Sequence, residues 1–338
     1  MADSNPNPQI GGVLTEDRVV ALELVFRHLP AEDRCRQIDE VFAHADSSDG
    51  VPFDGLLGAQ RNGQLVGAMF SQREPDNNAI VWLPRLIEGE SESIAASLLA
   101  ATWKLLLQQR VAMAQVLMPG RSKSDEALLR MGGFRHLASL LYLVALERDF
   151  PPAMPRSELG FESYSVANHG RFVRTMEATY EGTRDCAGLE QVRRGENALA
   201  GYRSAGAFDP CRWLLVRHEK RDVGCLLLAD HPRHDNIELL YLGLIPAARG
   251  HGWGKRLTRH AQWLARLAGR PRLVLAVDTA NRPAVQTYTA VDFQAWQQRW
   301  LYVRCAPFVD NWHTSSRQVI HAGRARAAKN SAVARMPS

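Results

Sequence analysis

The stretch "LIPAARGHGWGKRL", residues 244–257, decides the fold because it places three glycines where an apolar segment ends and a helix should begin. Each glycine inside a helix costs about 1 kcal/mol relative to alanine, so Gly250, Gly252 and Gly254 indicate that bare backbone is needed here. The first turn of a helix carries unpartnered N–H groups and a partial positive charge, and side chains beyond Cα would keep an anion away. The stretch therefore predicts a phosphate-binding helix start, with Arg249 and Lys255 adding charge.

The segments on either side of this turn predict a mixed α/β arrangement. Before the turn, the pattern predicts helices at 171–180 and 192–206, a hairpin at 211–230 and a buried strand at 236–245. After it come an amphipathic helix at 255–269, a strand at 271–277, a helix at 282–291 and a last strand at 298–305. A merely flexible turn before an amphipathic helix is the alternative interpretation of the glycines.

This order of elements, with Arg249, Gly252 and Gly254 in the spacing R/Q-x-x-G-x-G/A, resembles the GNAT superfamily of N-acyltransferases. The segment "NRPAVQTYTAVDF" (281–293) lies where that superfamily carries N-x-x-A-x-x-x-Y-x-x-x-G-F, although Val291 and Asp292 depart from the pattern. The resemblance implies acetyl-CoA as acyl donor, no metal, and a donor site made of the strand end, the glycine-rich turn and one asparagine: Leu242, Gly243, Leu244, Arg249, Gly250, His251, Gly252, Trp253, Gly254, Lys255 and Asn281. Within the turn, His251 and Trp253 are also interpretable as a solvent-facing and a packing side chain.

The resemblance also implies direct attack of an acceptor amine on the acetyl thioester, which needs a base for the amine proton and an acid for the thiolate. Glu238 begins the buried strand, where the family often places its base, and Tyr288 occupies the family's general-acid position. The alternatives are an acid at a strand end that faces water and a tyrosine packed in the core. The backbone of residues 242–244 should pair with the pantetheine amides as an added strand, and its amides could polarise the thioester oxygen.

The first half of the chain looks like a second copy of the same fold at a shift of 159 residues, which places Trp82 on Tyr241 and Phe134 on Phe293. Its loop "EGESES" (88–93) replaces Arg249, His251, Gly252 and Gly254 by Glu90, Glu92, Ser93 and Ala95, so it should repel coenzyme A. The same shift places Glu238 on Ala79 and Tyr288 on Leu129. We therefore expect two tandem GNAT-like domains: a degenerate one at 1–150, a linker at 151–160, and a catalytic one at 161–310.

Residues 311–338 form a basic tail that we expect to be disordered. Its five cations equal the formal net charge of +5, so the remaining chain is near neutral and nucleic acid is not the expected partner. No apolar run is long enough for a membrane span and the N-terminus "MADSNPNPQIGG" does not resemble a signal peptide, so we expect a cytoplasmic protein. Five scattered cysteines, without any C-x-x-C pair, argue against disulfides and a cysteine-built metal site.

The acceptor is expected to be a small-molecule or peptide amine, bound near "ATYEGTRDC" (178–186) through Tyr180, Glu181 and Asp185. The same segment is also typical of an ordinary surface loop. His231 and His234, in H-x-x-H spacing, are expected to form a polar hairpin tip rather than a metal site. Two other functions stay open at this point: a non-catalytic sensor or scaffold that binds coenzyme A, and an acyltransferase that uses a longer acyl-CoA. The sequence does not predict an oligomeric state.

Overall fold

The computed structural model describes residues 6–46, 53–186 and 195–307, which form twelve β-strands and eight α-helices. The described chain divides into two compact units. The first unit runs to His136 and also contains residues 301–307, and the second contains residues 137–300. The tail predicted at 311–338 lies outside the described residues. Among those that are described, no helix is long and apolar enough to cross a membrane.

The first half of the chain contains six strands and four helices. In chain order these are β1 (Gln9–Gly12), α1 (Arg18–Val25), α2 (Ala31–Asp46), β2 (Leu56–Arg61), β3 (Gln64–Arg73), β4 (Asn78–Leu86), α3 (Glu92–Gln108), β5 (Met113–Met118), α4 (Lys123–Met131) and β6 (Arg135–Leu146).

The second half repeats that order element by element. It contains β7 (Gly160–Ser163), α5 (His169–Tyr180), α6 (Gly195–Ser204), β8 (Trp213–His218), β9 (Arg221–His231), β10 (Asn236–Leu244), α7 (Trp253–Leu267), β11 (Arg272–Asp278), α8 (Arg282–Thr289) and β12 (Gln294–Cys305). The prediction of a mixed α/β fold made of two similar copies is confirmed.

The repeat extends to local geometry. The hairpin β2–β3 turns through Asn62 and Gly63 and the hairpin β8–β9 through Glu219 and Lys220, and all four of these residues have positive φ. Two-residue loops of this conformation match the right-handed twist of antiparallel strands. Both halves therefore use the same turn although their sequences at the turn differ.

Strands β6 and β12 do not stay with the half of the sequence that precedes them. The second unit has the strand order β12–β6–β11–β10–β9–β8–β7, and β6 pairs antiparallel with β11 from Leu140↔Asp278 to Leu146↔Arg272. The sequence analysis assigned β6 to the first domain and all of β12 to the second. No pattern in the sequence signals this difference, because a buried strand is equally apolar on either side of a partner. The predicted domain bounds themselves stay a prediction.

Strands β10 and β11 are parallel neighbours that pair over only three residues, Asn236–Glu238 with Arg272–Val274. Beyond Glu238, β10 continues to pair with β9 as far as Leu244, while β11 continues to pair with β6 as far as Asp278. The edge of β10 that faces β11 therefore has no strand partner from residue 239 onward. The first half repeats this divergence, since β4 and β5 pair only through Asn78–Ile80.

Two apolar clusters cover the opposite faces of the sheet in the second unit. One joins α7 and α8 to the sheet and includes Ile237, Leu239 and Tyr288. The other joins α5 and α6 to the sheet and includes Met176, Leu240 and Tyr241. The side chains of β10 thus alternate between a face covered by α7 and α8 and a face covered by α5 and α6.

His260 on α7 is a buried histidine in this packing. Its ring stacks on that of Phe161 with centroids 3.9 Å apart, and burial lowers its pKa from 6.5 to about 4. Because the pKa is lower in the folded state, the unfolded chain binds a proton first as the pH falls. The stabilising effect of keeping His260 neutral is therefore complete above about pH 6.5 and is lost as the pH falls from 6.5 to 4.

The variant His260→Phe keeps an aromatic ring against Phe161 and removes the titration. Between pH 7 and pH 5, we expect the free energy of unfolding to fall by up to about 2 kcal/mol less in the variant than in the wild type. Urea denaturation at both pH values measures this difference. Equal losses in the two proteins would show that His260 does not contribute to the acid sensitivity.

Candidate active site

The glycine-rich turn leads directly into α7, as predicted. Gly250 and Gly252 have φ of 84° and 74°, the left-handed region that L side chains rarely adopt, and a Cβ at either position would have no atom within 4 Å. Gly252 is the residue before the helix and provides no capping side chain, and the first turn of α7 contains no acidic residue. The N–H groups of this turn therefore face open space, in the geometry that suits an anion.

A cavity of about 760 Å³ lies at the open edge of β10 and extends to this turn. Its lining includes ten of the eleven residues predicted to bind the donor: Leu242, Gly243, Leu244, Arg249, Gly250, Gly252, Trp253, Gly254, Lys255 and Asn281. The eleventh, His251, is exposed and lies outside the lining, with its ring centroid 5.0 Å from that of Trp253.

Two of the lining residues serve the local structure as well. Asn281 precedes α8, and its Oδ1 accepts a hydrogen bond from the backbone N–H of Ala284 at 3.4 Å. A Cβ on Gly254 would lie 3.4 Å from the Thr287 side chain, so this glycine lets α7 pack close to α8. The roles of Asn281 and Gly254 toward a bound donor stay predictions.

The guanidinium of Arg249 is occupied by the protein's own main chain. Its Nε, Nη1 and Nη2 donate to the carbonyl oxygens of Leu244, Gly182 and Thr179 at 3.0, 3.2 and 2.9 Å. The sequence analysis expected this charge to act on a diphosphate. The structure instead directs it to three carbonyls, which leaves Lys255 as the lysine in the cavity lining.

Glu238 is a buried carboxylate with 2% of its surface exposed. Its Oε2 lies 3.2 Å from Nε2 of His231, across the β9–β10 hairpin. Ile237 and Leu239 pack on the α7 and α8 face, so the alternation of the strand places Glu238 on the face of α5 and α6. The interpretation as a strand-end acid facing water is therefore wrong, whereas the catalytic role stays a prediction.

Tyr288 belongs to the opposite side of β10. It lies on α8, is 9% exposed, lines the cavity and packs 5.7 Å from the ring of Phe293. Tyr288 is thus both a core residue and a cavity residue. Glu238 and Tyr288 approach the open edge of β10 from its two different faces.

Strand β10 has an irregularity at this level. The register with β9 shifts between Leu239 and Tyr241, so Leu240 is an extra residue without an opposite partner. A bulge of this kind bends the strand and turns backbone groups out of the ladder. After it, Tyr241 shares a hydrogen bond with the hydroxyl of Thr179 on α5, and burial raises the pKa of Tyr241.

Gly243 lies two residues further along the strand, where no side chain fits. A Cβ at this position would lie 2.5 Å from the Tyr241 hydroxyl and 2.7 Å from Thr179 Oγ1. The glycine therefore lets the end of α5 approach β10 closely.

The predicted acceptor residues end up in three different environments. Asp185 is buried and lines the cavity, and its Oδ1 accepts from the backbone N–H of Asp278 at 2.9 Å. Tyr180 is buried beside Tyr241 and is not in the lining, while Glu181 is exposed and also lies outside it. The structure thus brings only Asp185 of the three to the cavity, and that carboxylate also secures the end of β11.

The equivalent helix start in the first half is closed by the protein itself. Ser91 precedes α3 and its Oγ accepts from the backbone N–H of Ser93 at 3.3 Å, and Glu92 places a carboxylate in the first turn. Glu90, in the same loop, forms an ion pair with Arg61. No glycine with an open left-handed conformation precedes α3 at this position, so an anion has no comparable access.

The divergence between β4 and β5 is also occupied. Arg85 near the end of β4 forms a two-fold ion pair with Asp125 on α4, at 3.0 and 3.4 Å. The rung of β4 that corresponds to Glu238 carries Ile80, one residue from the Ala79 expected at a constant shift. Both residues are apolar, so the first half lacks the carboxylate in either alignment.

The family model of the acetyltransferase (GNAT) family matches residues 176–293, which contain the cavity, the glycine-rich turn and both proton-transfer candidates. Residues 176–293 form a GNAT acetyltransferase domain. The recognition made from the loop "RGHGWG" and the segment 281–293 is confirmed.

Curated relatives of this domain are mycothiol acetyltransferases, also called mycothiol synthases. The protein from Thermobifida fusca is 37% identical over 113 residues, which are 33% of this chain and 30% of the relative. The protein from Jonesia denitrificans is 40% identical over 78 residues, which are 23% of this chain and 25% of the relative. The chain thus matches about a third or less of the length of these relatives.

Solved structures of low identity match most of the chain and show the fold. A GCN5-related N-acetyltransferase from Sphaerobacter thermophilus aligns with a TM-score of 0.61 at 16% identity, over 88% of this chain and 95% of that chain. A tandem GNAT protein from the clavulanic acid biosynthesis pathway aligns with a TM-score of 0.51 at 12% identity, over 88% and 98%. The GNAT fold therefore extends over both halves of the described chain.

Sequence reasoning missed residues that the fold brings to the site from a distance. Thr179 and Gly182 line the cavity, although they lie more than 55 residues from β10 in the sequence. His231 was considered only as a metal ligand, whereas the structure makes it the hydrogen-bond partner of Glu238. The hairpin itself was the available signal, because Asn236 pairs directly with His231.

Two substitutions at Gly252 test the helix start as an anion site. Asp and Asn have nearly the same shape and tolerate positive φ better than most residues, but only Asp carries a charge. We expect Gly252→Asp to bind coenzyme A at least about 10-fold more weakly than Gly252→Asn, because its carboxylate would lie beside the diphosphate. Calorimetric titration of both folded variants with coenzyme A measures the ratio, and equal affinities would contradict the assignment.

Proposed function

We propose that the second half of this chain is an acetyl-CoA-dependent N-acetyltransferase in which an amine attacks the acetyl thioester within a ternary complex. One observation carries the proposal. The open edge of β10 leads without interruption to the uncapped, glycine-opened start of α7, so one elongated ligand can pair with the strand and place a diphosphate at the helix.

The donor would be held mainly by main-chain groups. Amides of the α7 first turn would bind the diphosphate, with Lys255 beside them, and the free edge of Leu242–Leu244 would pair with the two amides of the pantetheine arm. The fit rests on the open space at Gly250 and Gly252, where a side chain would take the place of the phosphate oxygens.

Proton transfer is assigned to Glu238 and Tyr288. The amine nitrogen bonds to the acetyl carbon and its proton passes to the Glu238 carboxylate. When the intermediate collapses, the carbon–sulfur bond breaks and the thiolate is protonated or hydrogen-bonded by the Tyr288 hydroxyl. The placement of Glu238 on the α5 face and Tyr288 on the α8 side supports this division, because base and acid then serve opposite ends of the reacting group. A backbone N–H at the bulge around Leu240 would stabilise the oxyanion.

The acceptor is an amine whose recognition involves the α5 face. The relatives are named mycothiol acetyltransferases, so the mycothiol precursor that lacks the acetyl group is the first acceptor to test. Cytoplasmic location is proposed with it, because acetyl-CoA is a cytoplasmic metabolite.

The direct experiment measures release of free coenzyme A thiol from acetyl-CoA with this precursor and with a panel of amines, followed by mass analysis of the acylated product. Longer acyl-CoA donors form a second arm. Turnover with an amide product supports the proposal, and faster turnover with a longer donor would change the acyl group that is assigned. Tight coenzyme A binding without turnover on any amine would contradict it and favour a sensor or scaffold.

Binding stoichiometry tests the difference between the two halves. Because α3 is capped by Ser91 and Arg85–Asp125 occupies the divergence of β4 and β5, we expect one coenzyme A per chain in a calorimetric titration. A stoichiometry near two would show that the first half also binds the ligand.

Replacing Glu238 by Gln keeps the shape of the side chain and removes its ability to accept a proton. With the amine that turns over fastest, we expect kcat to fall by a factor of about 10²–10⁴ with little change in coenzyme A affinity. Tyr288→Phe should lower kcat at a nearly unchanged melting temperature. A stable Glu238→Gln variant that keeps most of its kcat would show that Glu238 is not the base. Loss of stability with full turnover in Tyr288→Phe would assign that residue to packing alone.

A further inference from the structure

The side chain of Arg249 connects the donor-binding turn to the opposite wall of the cavity. Its three hydrogen bonds reach the carbonyls of Leu244 at the end of β10, Thr179 in the last turn of α5, and Gly182 just after that helix. Leu244 and Arg249 belong to the side of the cavity proposed to hold the donor. Thr179 and Gly182 belong to the side proposed to face the acceptor.

The carbonyls that Arg249 binds are suited to a cation. The last turn of a helix leaves carbonyls without intrahelical donors and carries a partial negative charge. Thr179 lies in that turn of α5, and Gly182 has φ of 59°, which turns the chain so that its carbonyl also meets the guanidinium. A planar guanidinium can donate to several carbonyls in fixed directions, whereas an ammonium acts as a point charge.

A second contact holds the same parts together. The hydroxyls of Thr179 and Tyr241 are hydrogen-bonded, and Gly243 leaves room for both of them. The end of α5 therefore contacts β10 near the bulge, and Arg249 extends this contact to the glycine-rich turn. The segment 179–185 has few other printed links to the donor side, apart from the carboxylate–amide bonds of Asp185 and Asp278.

We propose that Arg249 is a positioning residue that couples the two substrates: an anion bound at the start of α7 fixes the turn, and the guanidinium transmits that order to residues 179–185. The inference rests on the proposed function, since it takes the donor to bind at α7 and the acceptor to meet segment 179–185. Ordering a segment before its ligand arrives lowers the entropy cost of the second binding event, which produces positive coupling. The donor would then bind first and the acceptor second.

Hydrogen–deuterium exchange of the full chain, with coenzyme A as the probe, tests this coupling without a known acceptor. In the wild type we expect coenzyme A to slow exchange in peptides covering 245–257 and also in peptides covering 178–186. In Arg249→Gln, protection of 245–257 should persist at saturating coenzyme A, and protection of 178–186 should be lost. Arg249→Lys keeps the charge but not the fork, and we expect it to lose most of the protection of 178–186.

Arg256→Gln is the matched control, because it removes the same charge two turns of sequence away from the carbonyls and its partner is Glu158 in the linker. This variant should keep both protected regions. Exchange in β9, residues 221–231, reports whether each variant is folded, and coupling is compared only between variants in which β9 exchanges as in the wild type.

The possible results separate the two claims. Absence of protection at 245–257 in the wild type would overturn the donor site itself. Protection of 245–257 without protection of 178–186 in the wild type would overturn the coupling and leave the donor site in place. Protection of 178–186 that persists in Arg249→Gln would show that the contact of Thr179 with Tyr241, and not Arg249, transmits the order.

Discussion

The separation of β10 from β11 after Glu238 is the constraint on which the site depends. Two parallel strands that pair for three residues and then part leave one strand edge with unpaired N–H and C=O groups. Such an edge is costly when it is buried without partners, so it is stable only beside a cavity that water or a ligand fills. The cavity, the glycine-rich turn and both candidate proton-transfer residues are arranged along this edge.

The two halves show how the same divergence can be used or closed. In the second half the helix beyond the strand starts at a glycine without a capping side chain, and the edge stays open. In the first half a serine caps the helix, a glutamate follows it, and an arginine–aspartate pair occupies the gap. Both solutions satisfy the polar groups of the backbone, but only the open one leaves them available to a phosphate or an amide of a ligand.

The sequence was sufficient for the features that depend on local pattern. The glycines of 250–254 predicted the helix start, the order of apolar segments predicted the strands and helices, and the comparison of the halves predicted which loop could hold a phosphate. Its constant shift of 159 was one residue out at Glu238, because the strands of the two halves have their bulges at different places. Bulges follow from packing on both faces of a strand, which a sequence pattern of period two does not record.

Features that depend on where a side chain ends could not be predicted. Arg249 has the residue type and position of a phosphate ligand, yet its guanidinium reaches carbonyls of residues 179 and 182, which are about 70 positions away in the sequence. Asp185 looked like an acceptor ligand, and part of its carboxylate holds the backbone of Asp278. In both cases the competing partners are main-chain groups, which every residue carries and no motif distinguishes.

The central claim is that main-chain amides at the start of α7 bind the diphosphate of coenzyme A. The most direct measurement follows glycine amide resonances in protein labelled with 15N-glycine, titrated in parallel with coenzyme A and with pantetheine, which lacks the diphosphate. We predict that the amide resonances of Gly252 and Gly254 shift with coenzyme A and not with pantetheine, while that of Gly89 in the first half is unchanged. Unshifted resonances at Gly252 and Gly254 under saturating coenzyme A would contradict the account.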